Sequence, residues 1–80
     1  MTVLTLYGKP GCHLCDDARA VVAGAGLERD FELREIDVSL DPELHRAYGE
    51  RIPVVAIDGD ELFQYHVDRD RLLAALDGAR

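Results

Sequence analysis

The stretch Thr2-Val3-Leu4-Thr5-Leu6-Tyr7 is β-branched or apolar throughout and ends in the turn Gly8-Lys9-Pro10-Gly11. The chain's two cysteines, Cys12 and Cys15, follow at once at the head of an amphipathic segment. This strand–turn–helix seam constrains the fold more than any other feature. A buried strand that passes directly into a helix calls for a second strand to which the helix returns the chain. The helical reading runs from His13 to about Ala25. Ala18, Val21, Val22 and Ala25 recur at three- and four-residue spacing, Asp16-Asp17 occupy the first turn, and the helix closes near Gly24 or Gly26.

A second strand is expected over Phe31–Val38, where Phe31 and Leu33 share one parity and Ile36 and Val38 the other. Such a slip predicts a bulge or burial on both faces. Asp41-Pro42-Glu43 opens a second helix with a capping carboxylate and a proline at the first helical position. That helix presents Leu44, Ala47 and Tyr48, and Gly49 stops it. Ile52-Pro53-Val54-Val55-Ala56-Ile57 reads as a strand with a proline near its start, which local rules place at a strand beginning or an edge. Asp58-Gly59 with Asp60 signals a hairpin into Glu61–Tyr65. Asp68 then caps a last helix with Leu72, Leu73, Ala75 and Leu76 as its apolar face and Gly78 past its end. The order β-α-β-α-β-β-α predicts an α/β three-layer sandwich, with helices on a four-stranded mixed sheet, in one domain over residues 1–80.

Charge narrows the function. Nine basic residues against sixteen acidic ones give a formal net charge of −7, which argues against a nucleic-acid surface. No apolar run approaches the length of a membrane span, and the opening residues lack the pattern of an export signal. The expected setting is the cytosol. A lone C-x-x-C beside a βαβ unit in that reducing compartment reads as a redox pair, where a small secreted scaffold would carry more cysteines.

The placement of the cysteines suggests a division of labour. Cys12 falls at the N-terminal cap, where unpaired backbone N–H groups stabilise a thiolate, and Cys15 lies one turn further in. Asp16 and Asp17 oppose the thiolate by roughly 1 kcal/mol each. That is less than the stabilisation helix ends give thiolates in C-x-x-C pairs. Cys12 is therefore expected to attack and Cys15 to resolve, with Lys9 and His13 as candidate helpers of the thiolate. Structural zinc needs four ligands, and no paired histidines accompany the cysteines, so no metal site is expected.

Three patches resemble glutaredoxins, and more closely the short glutaredoxin-like proteins of bacteria. They are Thr5-Leu6-Tyr7-Gly8-Lys9-Pro10-Gly11-Cys12-His13-Leu14-Cys15, then Glu35-Ile36-Asp37, then Ile52-Pro53-Val54-Val55. The resemblance implies a thioredoxin-like, glutaredoxin-type fold in which Pro53 is cis and faces the cysteines. It also implies that the Ile52 backbone is left free to pair with an extended substrate and that Lys9 lies near a glutathione carboxylate. Two departures stand out. His13-Leu14 replaces the usual Pro-Tyr between the cysteines. The Gly-Gly that lets glutathione approach the last helix is missing near Phe63-Gln64, and Tyr65-His66 does not replace it.

The leading expectation is a thiol–disulfide oxidoreductase acting on a disulfide-containing protein or a small-thiol mixed disulfide. It would act as a monomer, with no resident cofactor and with glutathione, another small thiol or a reductase for recycling. Two further readings stand beside it. One is a thioredoxin-fold protein carrying an iron–sulfur cluster or metal. The other is a partner-binding module that uses the groove beside Pro53 without turnover.

Overall fold

In the computed structural model, which describes residues 1–78, β1 (Val3–Gly8) is the spine of the sheet. It pairs in parallel with β2 (Glu32–Asp37) on one side and antiparallel with β3 (Val54–Ile57) on the other. β3 continues antiparallel into β4 (Asp60–Gln64), so the strand order is β2-β1-β3-β4. Three helices complete the fold: α1 (His13–Gly26), α2 (Pro42–Tyr48) and α3 (Arg69–Gly78). None is long and apolar enough to cross a membrane.

Alternation along β1 creates the layers. Leu4 and Leu6 are buried on one face, where Ala18, Val22 and Ala25 of α1 and Leu72 and Leu76 of α3 cover them. Tyr7, of opposite parity, turns to the other face and stacks on Tyr48 of α2. The expected three-layer α/β sandwich with a mixed four-stranded sheet is therefore the architecture found. All four residues of β3 are buried, as befits a strand with neighbours on both edges and cover on both faces.

Local chemistry fixes the connections. The Asp41 carboxylate accepts the N–H groups of Glu43 (2.8 Å) and Leu44 (3.4 Å), with Pro42 at the start of α2. Asp58 and Gly59 both lie in the left-handed region, at φ 50° and 90°, as a tight two-residue hairpin requires. The Asp68 carboxylate accepts Asp70 N–H at 3.0 Å at the head of α3.

Four details correct the sequence reading. β2 carries no bulge and is not buried on both faces. It pairs residue for residue with β1 from Glu32 to Asp37, and Leu33 is exposed. The slip arises because Phe31 precedes the strand and Val38 follows it, opening a 3-10 turn over Val38–Leu40. The irregularity of the sheet lies instead between Val55 and Ala56, where β3 meets β4. Tyr65 stands just beyond β4, and Gly78 is the last residue of α3.

One consequence of this register positions the site. Tyr7 sits opposite Val54, so the turn after β1, the head of α1 and the Ile52–Pro53 segment before β3 share one end of the sheet.

Candidate active site

Gly11 takes φ 75°, a value that favours glycine, and so delivers Cys12 to the head of α1 in extended conformation. Cys12 is the helix cap. Its Sγ accepts the N–H of Cys15 at 3.3 Å, and its carbonyl accepts the N–H of Asp16 at 3.1 Å. The half-exposed sulfur therefore sits at the positive end of the α1 dipole, against an otherwise orphaned donor.

Cys15 has the opposite environment. It is fully buried in a cluster with Val38 and Ile52, against which Tyr7, Leu44, Tyr48 and Cys12 also pack. Gly8 makes room for it. A side chain there would start 3.1 Å from Cys15 Sγ, tighter than ordinary contact. Burial pushes the Cys15 thiol up to about 11 from 9.0, and the hydrogen bond and charge of Cys12 add to the rise. The backbone N–H of Lys9 and the Arg19 guanidinium oppose it. The two thiols are thus chemically unequal, one reachable at a helix end and one held neutral in the core.

The Ile52–Pro53 bond is cis, and Pro53 is fully buried. Ile52 packs its side chain into the Cys15 cluster, while its own N–H and C=O have no hydrogen-bond partner among the described residues. The segment just outside it is tied down. Arg51 Nη1 donates to Glu61 (3.0 Å) and Gln64 (3.1 Å), its Nε donates to the Ala47 carbonyl (3.2 Å), and its guanidinium lies 5.1 Å over the Tyr48 ring. Tyr48 in turn stacks on Tyr7 at 4.2 Å between centroids. Burial and the neighbouring Tyr7 and Glu61 raise the Tyr48 hydroxyl above its usual range.

Of the residues singled out by sequence, Cys12, Cys15, Ile52 and Pro53 converge. Lys9 meets Cys15 through its backbone N–H, while its side chain is exposed. It lines a recess of about 220 Å³ with Gly8, Arg19 and Glu35. Arg19 is held there between Asp16 (2.7 Å) and Glu35 (3.0 Å), so the first-turn carboxylate at Asp16 faces a cation. His13 opens α1, with an exposed side chain that makes no hydrogen bond among the described residues. Sequence reasoning read Gly8 only as part of a turn and missed that it lies against Cys15. The Arg51 guanidinium, beside the Ile52–Pro53 segment, is engaged by Glu61 and Gln64. Sequence reasoning read Tyr65 as a strand end and, with His66, as no replacement for the missing Gly-Gly.

Comparison with known proteins agrees with this fold. The profile of the glutaredoxin-like domain (DUF836) matches residues 3–77. An uncharacterized protein of Mycobacterium tuberculosis is 34% identical over 74 residues, an alignment covering 86% of this chain and 76% of that one. The crystal structure of a structural-genomics target from X. campestris superposes with a TM-score of 0.78 at 40% identity, covering 96% of this chain and 99% of that one. A mutant thioredoxin from Halobacterium salinarum superposes with a TM-score of 0.72 at 26% identity, covering 96% of this chain and 73% of that chain.

Proposed function

Because the chain belongs to the glutaredoxin-like family and has a thioredoxin-like fold, we propose that it is a thiol–disulfide oxidoreductase with Cys12 as nucleophile and Cys15 as resolving thiol. One observation carries the reading. A half-exposed Cys12 sulfur caps α1 directly above a fully buried Cys15, beside the unpaired backbone of Ile52.

Exchange proceeds in two steps. The Cys12 thiolate attacks a disulfide R–S–S–R′, forming Cys12–S–S–R and expelling R′S⁻, which takes up a proton from water. Cys15 then releases its proton to solvent and attacks Cys12 Sγ. The Cys12–Cys15 bond forms and RS⁻ leaves. Two electrons pass from the protein dithiol to the substrate, and an external thiol or reductase returns them. The sulfurs supply the chemistry, so the reading requires no resident cofactor. The Ile52 N–H and C=O offer an edge on which an extended substrate can pair while its disulfide meets Cys12. Lys9 and His13 lie close enough in sequence to favour a thiolate at Cys12. The activity suits a monomer in the cytosol, where the poise keeps the dithiol reduced between turnovers.

Reduction of insulin by dithiothreitol tests the proposal. A substoichiometric amount of the protein is expected to shorten the lag before the freed chains precipitate. An unchanged lag at equimolar protein would overturn it.

A further inference from the structure

Arg19 follows Cys15 by four residues of α1, and helical side chains lean toward the N-terminus. Its guanidinium therefore reaches back along the face that carries the buried sulfur. Two of its nitrogens are pinned: Nε donates to Glu35 of β2 at 3.0 Å, and Nη1 to Asp16 at 2.7 Å. Nη2 makes no hydrogen bond among the described residues and lies against Gly8. A side chain on Gly8 would start 4.0 Å from this nitrogen and 3.1 Å from Cys15 Sγ, which bounds their separation at about 7 Å. Because residue 8 is glycine, it places no side chain in that interval.

A thiol that must ionise in an apolar cluster depends on the few charges that face it. Val38, Ile52 and Leu44 bring none to Cys15, and Tyr7 and Tyr48 bring neutral rings. Glu35 and Asp37 of β2 line the recess beside Gly8, the first tied to Arg19 and the second to Ser39. Burial is the chief obstacle to ionisation of Cys15, and Cys12 adds to it. In the mixed disulfide, however, the Cys12 sulfur carries no charge. The Lys9 N–H and the Arg19 cation are then the groups that work against burial, at the step where Cys15 has to ionise.

Resting on the exchange reading above, we infer that Arg19 is a positioning residue for the second step. Its guanidinium, fixed by Asp16 and Glu35 across the Gly8 gap, stabilises the Cys15 thiolate that resolves the mixed disulfide. Cys15 gives its proton to water and attacks Cys12 Sγ, and the carrier thiolate leaves. Arg19 stays protonated throughout and touches no reacting atom.

Arg19→Gln removes one full positive charge, since Asp16 and Glu35 remain. At about 7 Å and an effective dielectric of about 40, that lowers the thiolate fraction of Cys15 roughly five- to tenfold. The more basic thiolate is also more nucleophilic, so the rate should fall by only about threefold. With the symmetric disulfide of thionitrobenzoate, the second release is expected to slow by that factor relative to the first. Arg19→Lys, which keeps the charge, is expected to recover most of the loss. In Cys12→Ser, where residue 12 carries no charge, the ¹³Cβ shift of Cys15 follows its ionisation without any exchange. Adding Arg19→Gln is expected to move that titration upward by somewhat under one pH unit. A merely structural Arg19 would slow release without moving the titration, and an unmoved midpoint would overturn the inference. A ratio of releases unchanged in Arg19→Gln, or as low in Arg19→Lys, would overturn it equally. Wild-type protein that releases no thionitrobenzoate at all would instead overturn the exchange reading.

Discussion

Cys12→Ser is expected to abolish exchange, whereas Cys15→Ser is expected to arrest it halfway. The reachable sulfur is the one at the α1 cap, and Cys15 has no exposed surface from which to attack an outside disulfide. Loss of Cys12 therefore leaves no route. Insulin reduction is expected to fall by at least about a thousandfold, as removal of a covalent nucleophile commonly does. Cys15→Ser keeps the first step and loses the second. Against the symmetric disulfide of thionitrobenzoate, wild-type protein is expected to release two equivalents of chromophore and end as the Cys12–Cys15 disulfide. Cys15→Ser should release one equivalent and retain the other as a stable adduct on Cys12. Cys12→Ser should release none on the same timescale. Rapid release from Cys12→Ser would mean that Cys15 is accessible and the roles are misassigned.

The pH dependence of the second release is the other large effect. A thiol's neutral form is the protonated one, so a Cys15 pushed up to about 11 is almost wholly protonated at neutral pH. Its rate of attack follows the thiolate fraction, which grows as pH rises toward that value. Burial, the largest cause of the shift, persists when Cys12 is tied up in the mixed disulfide. The charge on Cys12 does not persist, so the rise is inherited only in part. From about pH 7 to 9 the second release is expected to climb roughly tenfold per unit, about a hundredfold in all. The first release, made by Cys12, serves as the internal reference in the same trace. A second release already level at neutral pH would contradict the buried, protonated Cys15 that the site displays.

Much of the architecture was legible because its punctuation is local. Asp41-Pro42, Asp58-Gly59 and Asp68 each act within a few residues of themselves, through side-chain caps or backbone preferences that need no distant partner. The Cys12–Cys15 pair was legible for the same reason, since its seat at a strand–helix seam is a matter of adjacent residues. What escaped depends on contacts between segments remote in sequence. Phe31 and Val38 looked like parts of one strand because an apolar residue is informative about burial and silent about whether it lies inside or beyond a strand end. Gly8 looked like turn material, and only the packing of α1 on β1 reveals that its missing side chain accommodates Cys15 Sγ. The engagement of Arg51 by Glu61 and Gln64 likewise depends on β4 lying alongside. The backbone conformation of Tyr65 gave no sign in the sequence. A tyrosine carries no preference for the left-handed region, and only the Pro53 and Glu50 carbonyls hold it there.

The central claim is that Cys12 and Cys15 form a reversible redox pair. The most direct measurement equilibrates the protein in glutathione buffers of stepped potential, traps free thiols and weighs the products. The account predicts a single two-electron transition between the dithiol and a Cys12–Cys15 disulfide. Its midpoint should fall in the band of thioredoxins and glutaredoxins, roughly −200 to −270 mV. Thiols that stay reduced across the whole series would contradict it.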